Sequence, residues 1–371
     1  MDGLSIGSEF DARLRIDLVA LADNWRQLDA MAPGAETGAV VKADAYGVGI
    51  DHVVPALAAA GCKTFFVATL AEGAAVRRLS PDVAIYVLNG LPVGAIDEMV
   101  GRKLRPILNS RPEIAEWAAA KPKSPPPGIQ FDTGMNRLGL SQDDARALAT
   151  DTNTIDNLDP ALIMSHLACA DTPSSPNNAK QLSRFDALRE LFPSLPASLA
   201  NSAGILLGAP FQFDLTRPGI ALYGAAAAEN KALRPVVTAE APVLQIRVAE
   251  AGETVGYGAC QTLRQTTRLA TLGVGYADGY LRAAGSADGR VGAHVFIRGK
   301  RAPLVGRVSM DLMVADVTNI LGVERGDWAE LFGGNVMIDD VADRAGTIGY
   351  ELLTNLGRRY LRIYDEPKPT P

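Results

Sequence analysis

The constraint that most limits how this chain can fold is the order in which short apolar runs alternate with amphipathic stretches. The runs are AVVKA (39–43), FFVAT (65–69), AIYVLN (84–89), RPIL (105–108), IQFDT (129–133), ALIMSH (161–166), ASLAN (197–201) and DLTRPG (214–219). Each has strand length. Between them lie stretches with helical apolar spacing, such as DHVVPALAAAG, LAEGAAVRRLS, RPEIAEWAAA and NNAKQLSRFDALRELF. Eight strand-and-helix units in succession favour a closed parallel barrel over an open doubly wound sheet, which usually has fewer strands. The fold class expected is therefore α/β, a (β/α)8 barrel of the TIM type.

A short strand (Arg13–Leu18) and an amphipathic helix (Val19–Met31) precede the series. From about residue 228 the pattern changes to extended, Val- and Gly-rich segments separated by Gly, Asn and Asp turns, which predicts a C-terminal mainly-β domain. The expected division is 13–227 for the barrel and 228–371 for the β domain, and a chain of 371 residues suits two such units. The proline-rich stretch KPKSPPPG (121–128) stands between a helix and a strand of the series, so it reads as an extended barrel loop.

Thirty-six Lys and Arg against 42 Asp and Glu give a net charge of −6, which argues against a broad nucleic-acid or anionic-membrane footprint and favours a small-molecule substrate. Cys62, Cys169 and Cys260 are odd in number and widely spaced, so neither a disulfide framework nor a metal cluster is expected. The first residues, MDGLSIGSEFDARLRIDL, carry no basic segment followed by an apolar core, and no apolar run reaches membrane-spanning length. A cytoplasmic enzyme without membrane contact is the expectation.

Polar residues interrupt the apolar runs at their C-terminal ends: Lys42, Asp132, His166, Asn201 with Ser202, and Arg217. In a parallel barrel those ends share the face on which active sites are built. One such residue would carry no weight, since strand ends are commonly polar, but five together point to a site. A lysine at a barrel mouth is able to form a Schiff base when its surroundings lower its pKa from about 10.4.

The segment AVVKADAYGVG (39–49) strongly resembles the cofactor-lysine motif of the alanine racemases, fold-type III enzymes dependent on pyridoxal phosphate. The resemblance recurs in order in DTGMNRLG (132–139), SHLACAD (165–171), ANSAG (200–204), TRPGIALYG (216–224), VGYGA (255–259), GVGYADGY (273–280), VGRVSMD (305–311) and TIGYE (347–351). It implies interconversion of L- and D-alanine, in a homodimer whose active sites are completed by the partner, with the N-terminal strand packed on the β domain. Lys42 then corresponds to the Schiff-base lysine and the base for one face of the substrate, and Tyr257 to the opposite-face base from the other subunit. Racemisation needs this separation, because a single fixed side chain tends to return a proton where it came from. An ordinary phenol, with a pKa of about 10, is a poor base at neutral pH without cationic or hydrogen-bonding neighbours; the resemblance gives that task to His166 and Arg217.

The same resemblance places Arg217 opposite the pyridine nitrogen of the cofactor, where it donates a hydrogen bond without releasing its proton. It places Tyr46, Asn201, Ser202, Gly219, Ile220 and Tyr350 around the cofactor, chiefly its phosphate, and gives the substrate carboxylate to Arg137 and the Met310 amide. Asp171, Tyr276, Arg282, Arg307 and Asp311 fall in the access channel and its surroundings. One position departs from the pattern. Several alanine racemases carry a carbamylated lysine two residues before the DTGM aspartate, where this chain has Gln130. A neutral amide brings no charge to orient Arg137, which leaves the amide itself, an inward-turned carboxylate, water or a small anion such as chloride to hold it; the anion is the reading taken forward. Racemisation of serine or a wider amino-acid range, and a non-catalytic cofactor-binding protein, are the competing readings. Motifs after residue 250 argue against the latter, and Arg217 argues against a decarboxylase, whose ring-nitrogen partner should be acidic.

Overall fold

The computed structural model describes residues 8–121, 125–227 and 233–365. The 227/228 boundary and part of the proline-rich stretch fall outside them. The first strand, β1 (Arg13–Asp17), leads directly into a helix (Leu18–Met31) that begins one residue earlier than its pattern suggests, because the Asp17 carboxylate accepts the Ala20 N–H at 2.8 Å and caps it. The barrel strands follow: β2 (Glu36–Thr37) and β3 (Ala39–Val40), two pieces of one strand on either side of Gly38, then β4 (Thr64–Val67), β5 (Ala84–Val87), β6 (Arg105–Leu108), β7 (Gly128–Gln130), β8 (Leu162–Met164), β9 (Ala197–Ser198) and β10 (Leu215–Thr216).

Strands β3 to β9 form a seven-stranded parallel sheet in sequence order, and β10 pairs with β2. The ring is closed by backbone bonds from Arg217 N to Ala200 O (2.9 Å) and from Val40 N to Pro218 O (2.9 Å). Gly38 is needed at this junction: a Cβ there would meet Thr64 O at 3.0 Å and the Phe66 ring at 3.1 Å. Phe65, Phe66, Ile107, Ile129, Phe131 and Ile163 are fully buried and belong to one continuous apolar core.

Helix caps bind neighbouring loops together. Thr69 and Glu72 make a capping box at the helix Leu70–Leu79, and Glu72 also reaches back to accept the Ala43 N–H at 2.7 Å. Glu113, in the same position of the helix Arg111–Ala120, accepts from Asn109 N at 2.7 Å and reaches back to Leu91 N at 3.0 Å. Each glutamate thus ties its own strand-to-helix loop to the preceding one.

The second unit contains β11 (Val237–Ala249), β12 (Thr254–Val255), β13 (Gln261–Thr262), β14 (Thr267–Leu272), β15 (His294–Ile297), β16 (Lys300–Pro303), β17 (Met313–Asp316), β18 (Trp328–Phe332) and β19 (Leu361–Asp365). Strand β1 belongs to its sheet, antiparallel to β11 and parallel to β19. TIGYE, a motif of this mainly extended region, lies at the start of a helix (Gly349–Thr354), and VGYGA ends in a 3-10 turn over Tyr257–Ala259. Tyr46 and Tyr350 rings, 6.0 Å apart, and the bond from Arg362 Nη2 to Gly47 O (2.9 Å) join the two units beside the barrel mouth. No helix among the described residues is long and apolar enough to cross a membrane.

Candidate active site

Lys42 stands just beyond β3, and the chain after it does something the sequence does not announce. Ala43, Asp44, Ala45 and Tyr46 have φ of 55, 53, 53 and 57°, so four non-glycine residues make a left-handed turn. Each costs roughly 1–2 kcal/mol in that conformation. Surrounding contacts hold it: Glu72 Oε1 accepts Ala43 N, Asp44 Oδ1 accepts Ile50 N at 2.8 Å, and Ala45 and Tyr46 are buried. Gly47, at φ 77°, packs so closely that a Cβ would lie 2.3 Å from Leu353 O. Burial, then the nearby Arg137, pull the Lys42 amine below its ordinary pKa, and Glu72 opposes them.

Arg217 is the buried centre of the face. Its guanidinium donates to Ser165 O at 2.6 Å, to Leu199 O at 3.3 Å and to the Ser198 hydroxyl, with no carboxylate among its partners. Burial draws its pKa down to about 9, which still leaves the group charged at neutral pH. His166 is held far lower, at about 3, by burial and then by Arg217, Arg137 and Lys42. It is therefore neutral at pH 7, and what it offers a neighbouring phenol is a hydrogen bond rather than a charge. Lys42, Arg137 and Arg217 thus stand close enough to His166 to act on it electrostatically.

After β9, Ser202 Oγ accepts Gly219 N (2.8 Å) and Ala221 N (3.3 Å), and Asn201 Oδ1 accepts Gly204 N (2.9 Å). Ile220 is buried beside them. A Cβ on Gly219 would lie 2.3 Å from the Tyr46 hydroxyl, so the phenol and the bare backbone share a cradle that a side chain would fill. Tyr46 packs on Tyr223 at 4.8 Å, and burial raises its pKa; burial and then Asp171 push Tyr350 up to about 12. Both phenols stay protonated as donors.

Asp132, at the end of β7, accepts the amides of Gly134, Met135 and Asn136 (2.8, 2.8 and 2.9 Å), which fixes the loop carrying Arg137. Arg137 is exposed and makes no ion pair among the described residues. Gln130 is buried, and its Nε2 donates to Leu138 O at 3.0 Å.

The remaining expected residues form a second group on the β unit. Tyr257 is 71% exposed and Met310 54%. The guanidinium of Arg307 lies where a Cβ on Gly258 would come within 3.1 Å. Tyr276 N bonds to Ser309 O (3.0 Å) and Ala277 N to Met310 O (2.9 Å), which joins the turns bearing Tyr276 and Met310. Asp311 pairs with Arg359 at 2.7 Å; the same guanidinium grips buried Asp278 at 2.6 and 2.8 Å. Arg282 and Asp171 are exposed. Among the described residues no hydrogen bond, ring contact or ion pair joins Tyr257 to the Lys42 group within the chain. Glu72, Arg359 and Ser198 do not stand out in the sequence. A signal exists for Glu72, the Thr69-x-x-Glu72 box, but nothing local marks its reach to Ala43.

Residues 16–227 match the alanine racemase N-terminal domain and residues 236–364 the alanine racemase C-terminal domain. The chain is 49% identical over 366 residues to an alanine racemase of Rhizobium meliloti, covering 95% of this chain and 96% of the relative. It is 48% identical to a biosynthetic alanine racemase of Agrobacterium fabrum, with 95% and 93% covered. The fold superposes on the crystal structure of the Bartonella henselae alanine racemase with covalently bound pyridoxal phosphate at a TM-score of 0.89 and 39% identity, over 96% of this chain and 99% of that one. With both domains matched and relatives near half identity along almost the whole chain, this protein belongs to the alanine racemase family.

Proposed function

We propose that the barrel mouth interconverts L- and D-alanine with pyridoxal phosphate attached to Lys42. The observation that carries this reading is Arg217, a buried charge held by carbonyls and a hydroxyl with no carboxylate, which suits a neutral acceptor such as a pyridine nitrogen. The turn at Gly219, where the Tyr46 hydroxyl closes on bare backbone and Ser202, Asn201, Ile220 and Tyr350 supply the neighbouring groups, suits the phosphate. When bound, the cofactor supplies a conjugated system that takes up the electron pair left by removal of the Cα proton.

The side chains do the rest. The Lys42 amine, unattached during turnover and lowered in pKa, takes or returns the proton on one face. Tyr257 of the partner subunit does so on the other; its exposure on a single chain agrees with a role across a dimer. His166, neutral, offers a hydrogen bond to that phenol, and Arg217 supplies the nearby positive charge. Arg217 would hold the ring nitrogen by a hydrogen bond while keeping its own proton, so the cofactor would supply a more weakly electron-withdrawing system than one protonated by an acid. Arg137 and the Met310 amide hold the substrate carboxylate, with Asp171, Tyr276, Arg282, Arg307 and Asp311 bordering the approach. A chloride-sized anion beside Arg137 and Gln130 supplies the charge that Gln130 lacks. The Gln130 amide has a second N–H besides the one given to Leu138.

The protein works as a cytoplasmic homodimer, divided at about 227/228 into barrel and β domain with β1 on the latter. Its D-alanine goes to peptidoglycan, or the reverse flux serves alanine catabolism; both use this chemistry. The test is a racemisation assay of the purified protein across L-amino acids, with cofactor attachment followed by its visible absorbance. Alanine should be the best substrate, and Lys42→Ala should lose the covalent absorbance and nearly all turnover. A Lys42→Ala protein that keeps the band, or a wild type that prefers serine, refutes the assignment.

A further inference from the structure

Lys42 is followed by four residues whose left-handed backbone runs against their own preference, so something outside the turn must hold it. Glu72 is placed to do this. One carboxylate oxygen accepts Ala43 N at 2.7 Å, across 29 residues of sequence, while the other accepts Ala68 N at 2.8 Å and Thr69 N at 3.1 Å. The bonds to Ala68 and Thr69 anchor the carboxylate at the end of β4, beside β3 in the barrel. The bond to Ala43 therefore references the amide immediately after Lys42 to the barrel wall. A helix cap needs no such third bond, and the cap within the helix is complete without it.

We propose that Glu72 is a positioning residue for Lys42, presenting its amine at the barrel mouth by fixing the left-handed turn through the Ala43 amide. The inference rests on the reading of Lys42 as the cofactor's anchor. Glu113 provides an internal comparison: it has the same helix position and reaches back to Leu91 in the same way, but it touches no residue of the site. If both glutamates serve only to lock loops, their loss should have the same consequences.

The experiment uses the holoenzyme. Borohydride reduction followed by peptide mass mapping first locates the cofactor; attachment to a residue other than Lys42 refutes the anchor reading, independently of any role for Glu72. The rate at which hydroxylamine strips the cofactor is then monitored by visible absorbance in wild type, Glu72→Ala, Glu72→Gln and Glu113→Ala, alongside Tm and the pH dependence of the absorbance. Loss of a charge-assisted hydrogen bond that holds the anchor should speed stripping by about tenfold in Glu72→Ala. Glu72→Gln, which keeps one oxygen acceptor, should recover part of that. Glu113→Ala should lower Tm while leaving the stripping rate within about twofold of wild type. Removing a negative charge near the attachment point disfavours a protonated nitrogen there, so the cofactor absorbance should also titrate at lower pH in both Glu72 variants but not in Glu113→Ala. Equal stripping rates in Glu72→Ala and Glu113→Ala, or an unchanged rate and titration in Glu72→Ala, overturn the proposal. If Glu72→Ala does not yield folded protein, Glu72→Gln carries the same test, and its coincidence with wild type in both readouts overturns it.

Discussion

Gly219→Ala tests the cradle at its tightest point. A side chain at this position meets its obstacle directly ahead of its own Cβ. The new methyl would stand 2.3 Å from the Tyr46 hydroxyl and 3.1 Å from the carbon that bears it. Tyr46 has little room to retreat, because its ring is packed against Tyr223 at 4.8 Å and its backbone lies in the left-handed turn. Overpacking of this kind costs about 1–3 kcal/mol. Denaturant unfolding of the cofactor-free protein should show that loss as a lower midpoint at unchanged slope. Cofactor affinity should fall as well, since the methyl pushes on Tyr46, one of the proposed phosphate contacts. Tyr46→Phe removes the colliding oxygen, so the double variant should be more stable than the sum of the single effects predicts, by about 1 kcal/mol or more in the cycle. Strict additivity, or an alanine variant as stable as wild type, would refute the account of why glycine stands there.

Three further outcomes are expected. His166 is held at about 3 when folded against an ordinary 6.5, so the unfolded chain binds the extra proton between those values; stability of the cofactor-free protein should rise with pH across that window, by up to about 1.4 kcal/mol per unit, and be lost as pH falls. His166→Gln should flatten the dependence, and an equally steep profile in that variant sinks the reasoning. Mixing inactive Lys42→Ala and Tyr257→Phe proteins under verified subunit exchange should restore activity, because one site of the mixed dimer carries both lesions and the other neither; no recovery removes the composite site. Exhaustive dialysis from chloride into acetate should lower activity, and bromide-soaked crystals should show anomalous density beside Arg137 and Gln130; full activity with no density there rejects the anion.

The barrel is legible in the sequence because its signal is local. RPIL forms β6 without shifting an end, and the other runs differ from their strands by a few residues, mostly where a polar site residue ends the ladder. Lys42, His166, Asn201 and Arg217 can be grouped from strand ends alone, whereas Tyr257 and Met310 lie on turns of the β unit with no periodicity to expose them and are reached only through family motifs. The left-handed turn is illegible for a physical reason: Ala-Asp-Ala-Tyr favours the opposite hand, and the contacts that overrule it come from residues 72 and 353. Tyr257 sits in an exposed turn, although a tyrosine among Val- and Gly-rich extended segments reads more naturally as a half-buried strand position. The register of β1 against Glu240 and Leu361 is likewise a long-range matter that no window of sequence reports.

That last pairing bears on how the molecule is made. Residues 13–17 are translated well before both of their neighbours, residues 237–240 on one side and residues 361–365 on the other. At ordinary elongation rates the first strand waits on the order of tens of seconds for its final partner, while the barrel is synthesised in between. That edge of β1 is therefore sealed only once β19 has been translated, and a barrel finished on schedule still carries it unpaired until then.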